Sequence, residues 1–188
     1  MNLRLLLLVL LLGLVAAATW WLAGHITPPG EGAAAPATHQ PDYYFTDATV
    51  TTLDQQGHRA AQMSAPRIEH HPDDDSSEVF APRLAYFAAG DPPWHGQADH
   101  ALLPRGGRLL NLDGHVEMRR PAAGKGAPLV IRTATLSVNL DTNIGNTADP
   151  VSITQGSTRM TAVGMIAYFK DNRLVLQNNV RGHYVPQP

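Results

Sequence analysis

Beyond Tyr43 the apolar residues recur at every second position, and no 3.6-residue rhythm outlasts two turns. Alternation of that period puts one face of an extended strand in a core and the other in water. It predicts strands over Tyr44–Leu53, Arg59–Ala65, Val79–Phe87, Arg108–Leu112, His115–Arg119, Leu129–Leu140, Val151–Thr154, Arg159–Val163, Met165–Phe169, Arg173–Gln177 and Val180–Val185. Between them lie Asp54-Gln55-Gln56-Gly57, Gly90-Asp91-Pro92-Pro93, Gly106-Gly107, Gly124-Lys125-Gly126 and Asp141-Thr142-Asn143. These are turn compositions, because Gly and Asn tolerate positive φ and Pro fixes φ. Short strands at roughly 8–12-residue spacing predict an all-β sandwich, jelly roll or open solenoid.

One pattern is written twice. Ala98–Val116 lies over Ala162–Val180 without a gap, with Ala98/Ala162, Leu110/Leu174, Leu112/Leu176 and Val116/Val180 identical. Each copy reads as a strand, a turn and an alternating strand that meets a second turn, Asp113-Gly114 or Asn178-Asn179. A second overlap sets Ile131–Asn143 on Met160–Asn172. Units of this kind stack, each burying a face that it cannot bury alone.

The alternation is absent before Tyr43. Leu5 to Ala23 is an uncharged run that as a helix would span about 28 Å, near the hydrocarbon thickness of a bilayer. Arg4 precedes it, and the next Lys or Arg is Arg59, so the positive-inside rule expects the N-terminus in the cytoplasm and the body outside. Ala16-Ala17-Ala18 also fits a signal-peptide cleavage pattern, but apolar character continues through Trp20, Trp21 and Leu22 and favours a retained anchor. The expected organisation is an anchor over 1–24, a Pro/Gly/Ala linker over 25–42 and a β domain over 43–188, which in a bacterial cell lies in the periplasm.

Composition narrows the function. Hydrophobic residues make up 44% of the 188-residue chain, enough for a core, and the net charge is −2. No Lys/Arg run offers a track for a phosphate backbone, so nucleic acid is not expected as a partner. The absence of cysteine excludes a disulfide framework, a thiolate metal site, a cysteine nucleophile and a lipidated cysteine.

The sharpest chemical pattern is His70-His71-Pro72-Asp73-Asp74-Asp75, two imidazoles and three carboxylates that could hold a divalent cation and so serve an anchored hydrolase. Adjacent residues on an extended chain point to opposite sides, so the segment reads instead as a solvated acidic turn, with neither metal nor cofactor expected. His115 follows Gly114 in a tight turn, and Gly-x-Ser-x-Gly is absent, so no catalytic residue is assigned. Gly124-Lys125-Gly126 lacks the spacing of a phosphate-binding loop.

Pro41-Asp42-Tyr43-Tyr44, the Asp turn closed by Gly57, Ser64 to Ser76 with its Pro72-Asp73-Asp74-Asp75 core, Pro82-Arg83-Leu84, Leu112 to Glu117, Ile131-Arg132-Thr133 and Thr147 to Tyr184 together resemble the LptC family. That family is the single-pass inner-membrane component of bacterial lipopolysaccharide export. The resemblance implies an all-β, open V-shaped β-jelly roll of two antiparallel sheets behind one transmembrane helix. It implies a non-enzymatic role: lipopolysaccharide is received in an apolar groove from the inner-membrane ABC transporter subunits and passed to a soluble periplasmic bridge protein. A purely structural adaptor is the other non-enzymatic reading.

A groove for acyl chains cannot be packed solid by its own side chains, and inward Ala48, Val50, Thr52, Ala134 and Val138 would leave room. Lipid contact is expected at Ala48 and Val50, on one face of the first strand, and at Phe80 and Leu84, on one face of Val79–Phe87. The C-terminal edge is expected to receive the bridge protein's strand through Arg173, Val175, Gln177, Val180 and Tyr184. Gly57 and Gly156 sit where strands turn and would permit close approach of a partner strand.

Overall fold

The alternating segments form eleven strands in the computed structural model, which describes residues 12, 14–22, 39–87, 92–122, 124 and 126–183. They are β1 (Tyr43–Leu53), β2 (Arg59–His71), β3 (Ser76–Phe80), β4 (Arg83–Tyr86), β5 (Trp94–Gln97), β6 (His100–Leu103), β7 (Leu109–Arg120), β8 (Leu129–Asn139), β9 (Ile144–Gln155), β10 (Thr158–Tyr168) and β11 (Arg173–His183). Every pairing is antiparallel, and all strands belong to one sheet.

β3 and β4 share one register against β2 and act as a single strand interrupted at Ala81-Pro82. β5 and β6 likewise form one strand interrupted at Ala98-Asp99. The topology is thus a meander of long strands, each broken near its middle. The breaks line up across the sheet. Positive φ occurs at Asp47 (50°), Ala81 (45°), Gly114 (74°), His115 (45°), Gly164 (81°) and Asn179 (50°), and the register shifts beside the last four. A β-bulge bends a strand and re-aims its side chains. A row of bulges therefore creases the ladder into two halves.

The inner faces of the halves meet. Trp94, 2% exposed, packs edge-on against Phe169 (centroids 5.3 Å apart), and its Nε1 donates to Asn172 Oδ1 at 3.2 Å. Trp94 lies on one side of the crease and Phe169-Asn172 lie in the β10–β11 turn on the other. One core, including Val79, Leu112, Val116, Ile131, Leu136 and Met165, spans the crease. The two sheets expected from the sequence are thus halves of one hydrogen-bonded ladder.

Several breaks were predicted as turns. In Asp113-Gly114 and Asn178-Asn179 the second residue has the positive φ that the composition suggests, but the chain continues through them as β7 and β11. Arg108–Leu112 with His115–Arg119, and Arg159–Val163 with Met165–Phe169, each fuse into one strand for the same reason.

Residues 1–38 form a separate unit, of which a helix over 14–22 is described. Leu14, Val15, Trp20, Trp21 and Leu22 are all exposed on it. Among the described residues no helix is long and apolar enough to cross a membrane. Of the expected span over 5–23, residues 5–11, 13 and 23 lie outside the described residues, as do most of the linker and the terminal Tyr184.

Candidate functional site

Residues directly opposite each other on antiparallel strands share a face, so the register shows what the inner face presents. On one half the pairs run Val50, Met63, Leu84, Gly96, Met118, Ile131, Ile153, Met160, Gly182, without a gap from β1 to β11. On the other half they run Phe45, Ile68, Val79, Ala101, Leu112 and Leu136, and the register continues through Thr147 to Met165 and Leu176. Two apolar rows thus face each other and run perpendicular to the strands from edge to edge.

The rows are closed at the centre and open at the ends. Val79 is 0% exposed and Leu112 2%, whereas Phe45 is 55% and Val50 49% exposed at the β1 edge. Val180, beside the crease on β11, is 49% exposed at the other edge. Among the described residues β1 pairs only with β2 and β11 only with β10, so both terminal strands leave a row of backbone donors and acceptors unpaired within the described sheet. Four of the chain's five methionines, Met63, Met118, Met160 and Met165, lie on this inner face, where a flexible thioether side chain adapts to what it touches.

The predicted lipid contacts separate. Ala48 opposes buried Ala65, Val50 opposes Met63, and Leu84 packs against the core, so all three are on the inner face. Phe80 is not. Ala81 at positive φ reverses the facing of the strand, so Phe80 lies opposite exposed Arg67 and against the ring of His100 (5.3 Å), on the outer face. Ala134 is also exposed, at the crease, whereas Val138 packs on the core.

On β11, Arg173, Val175 and Gln177 share the outer face, and Arg173 lies over the Tyr168 ring at 3.8 Å. The Gln177 side chain covers Gly164, where any Cβ would collide with it. Gly57 (φ 83°) and Gly156 (φ 59°) occupy the β1–β2 and β9–β10 turns, and only Gly156 has a neighbour, Ala127, close to where a Cβ would sit.

The acidic segment is divided as the extended-chain argument requires. His70 turns inward, stacked on Tyr43 at 4.5 Å, with Nδ1 2.8 Å from Asp42 and Nε2 3.2 Å from Asp75. His71 lies on the opposite face beneath the His39 ring (3.9 Å, 5° between planes), and His39 Nδ1 contacts Asp73 at 3.0 Å. The hydrogen bond to Asp42, then that to Asp75, raises the pKa of His70 above its ordinary value, and the bond to Asp73 does the same for His39. Asp42 and Asp73 are lowered by the same bonds. His115 Nδ1 is 2.7 Å from Asp99, and that hydrogen bond raises its pKa. These groups are tied up in short ion pairs at the surface.

Fold and face together define an all-antiparallel β protein whose distinctive chemistry is an apolar lane between two free sheet edges. The family model described as "Lipopolysaccharide-assembly, LptC-related" matches residues 6–185, and the chain belongs to that family. Its members are components of lipopolysaccharide transport rather than enzymes. Among solved structures, the chain is similar to the crystal structure of LptH, the LptA homologous periplasmic component of the conserved lipopolysaccharide transport device from Pseudomonas aeruginosa. That match has 11% identity and a TM-score of 0.46, and covers 80% of this chain and 100% of that one. Compared with curated proteins, the sequence matches none.

Proposed function

We propose that the chain is an anchored periplasmic conduit for lipopolysaccharide. It would receive the lipid from the inner-membrane ABC transporter at one sheet edge and deliver it to a soluble bridge protein at the other. The supporting observation is the unbroken apolar row from Val50 to Gly182, facing a second row and open where it meets both edges. Acyl chains need no polar site, since each buried methylene contributes about 0.8 kcal/mol. Ala48, Val50 and Leu84 are the proposed first lipid contacts. Arg173, Val175, Gln177 and Val180 on β11, with Tyr184 beyond it, are proposed to receive the partner's strand, and Gly57 and Gly156 to let neighbouring chain approach the turns. Residues 5–23 are proposed as the single-pass inner-membrane anchor, with the N-terminus cytoplasmic.

A photo-crosslinking residue tests the conduit. Placed at Val50 or Leu84 in membranes holding the transporter, it should yield a lipopolysaccharide adduct that depends on ATP, while the same residue at Phe80 on the outer face should not. Absence of adduct at both inner positions would favour the adaptor reading. That reading has an observation of its own, since the centre of the lane is filled by Val79, Leu112 and Ile131.

A further inference from the structure

Outside the lane, two buried polar groups among the described residues lack a hydrogen-bond partner, His71 and, opposite it on β3, the hydroxyl of Ser76. His71 is 3% exposed, yet neither ring nitrogen has a hydrogen-bond partner or reaches solvent. Buried polar atoms are rarely left so. Two residues before it on the same face of β2 is Glu69, and directly opposite Glu69 on β3 is Glu78. Like charges facing each other across strands repel. Arg67 Nη2 takes one oxygen of Glu69 at 2.5 Å, which leaves the pair only partly neutralised.

We propose that Glu69, His71 and Glu78 form a binding site for a divalent transition-metal cation that ties β2 to β3 at the base of their hairpin. One donor atom from each of the three residues lies within 4.8 Å of the others. His71 Nε2 stands 3.8 Å from Glu78 Oε2, too far for a hydrogen bond. Two ligands of a tetrahedral ion, each about 2.0–2.2 Å from it, are about 3.4 Å apart, so His71 and Glu78 need a shift of only about 0.4 Å, and the Glu69 oxygen, within 4.8 Å of both, swings in to complete the set. A proton on His71 would leave its bond to Glu78 overlong, whereas a cation uses the imidazole lone pair and offsets both carboxylates. One imidazole with two carboxylates suits zinc-class ions, with water completing the shell on the exposed side of Glu78.

A competing set, His39, His71 and Asp73, also clusters within 4.8 Å. There the two rings are stacked nearly parallel, so their in-plane lone pairs do not converge, and His39 Nδ1 already contacts both oxygens of Asp73 at 3.2 and 3.0 Å. His39 serves instead as a lid over His71.

The untagged full chain in detergent, stripped with a chelator, would be titrated with Zn²⁺ in competition with a chromophoric chelator. Melting and Co²⁺ absorption would be followed in parallel. The expected result is one saturable site per chain, a melting temperature raised by several degrees and tetrahedral Co²⁺ bands. Glu78→Gln and Glu69→Gln should each weaken binding at least tenfold, and Asp73→Asn should leave it unchanged. Circular dichroism would confirm that the variants fold. No saturable site, or binding that survives both glutamine variants, overturns the proposal. So does binding abolished by Asp73→Asn and preserved in Glu78→Gln.

Discussion

Gly114 shows how much one backbone angle decides. Its φ of 74° lies in the left-handed region, and a Cβ there would strike the carboxylate of Asp99, which also holds His115. Gly114→Ala should therefore lose about 1–3 kcal/mol from strain and displaced contacts, read as a lower urea midpoint at unchanged slope. The same reasoning explains Phe80. Nothing in its sequence neighbourhood distinguishes an even-numbered inner position from an outer one, because the reversal comes from Ala81, an unremarkable residue held at positive φ by the fold. The ion pairs over the β2–β3 turn are also a residue-scale property. His39 and His70 are raised above 6.5, so their contribution is complete below that pH and is lost as pH rises through the higher folded values. Asp42 and Asp73 are lowered below 3.8, so theirs is complete above that pH and is lost as pH falls through the lower folded values. Amide protection over residues 39–43, corrected for intrinsic rates, should then be greatest between pH 3.8 and 6.5 and decline toward pH 9. Flat protection from pH 5 to 9 would show that other contacts hold this segment.

At the scale of elements, the sequence shows which stretches are extended but not where one strand ends. Leu110 and Leu112 announce a strand, and Val116 and Met118 another; Gly114 between them reads as punctuation. Only the pairing with β8, which resumes one residue out of step after the bulge, shows that the chain goes straight on. The repeat now has a physical unit. Ala98, Val116, Ala162 and Val180 all sit at the crease, and the paired leucines of each copy lie on the half beyond it. Each copy therefore runs from crease to turn and back to crease. Trp94 left no such trace: its strand is four residues long and contains His95 and Gly96, so neither alternation nor β-propensity marks it. Yet its ring joins the two halves through Phe169 and Asn172. Trp94→Ala should cost about 3–5 kcal/mol, as for a large buried aromatic, and should loosen both halves together in hydrogen exchange. Exchange confined to β5 and its neighbours would show that the halves hold without it.

For the whole molecule, the proposed function depends on a property no single strand has, the continuity of a face from one edge to the other. Alternation indicates that each strand has an apolar face; the register makes those faces one lane, and the register depends on bulges that composition does not locate. The lane can be tested at its ends without disturbing its packed centre. Val50 is half exposed, so Val50→Arg should change stability by no more than about 0.5 kcal/mol. An arginine there puts a charge where acyl chains would enter. If desolvating it opposes lipid binding by only 1.4 kcal/mol, adduct at a Leu84 probe falls about tenfold. Thr51→Arg puts the same charge one residue along on the opposite face of β1 and should leave the adduct intact. Val180→Arg, at the β11 edge, should behave differently: loading at Leu84 persists, while lipid recovered on the bridge protein falls. If Val50→Arg and Thr51→Arg reduce loading equally, charge near the edge matters and the inner face does not. If Val180→Arg abolishes loading at Leu84, lipid enters from the β11 side, and the direction from β1 to β11 is reversed.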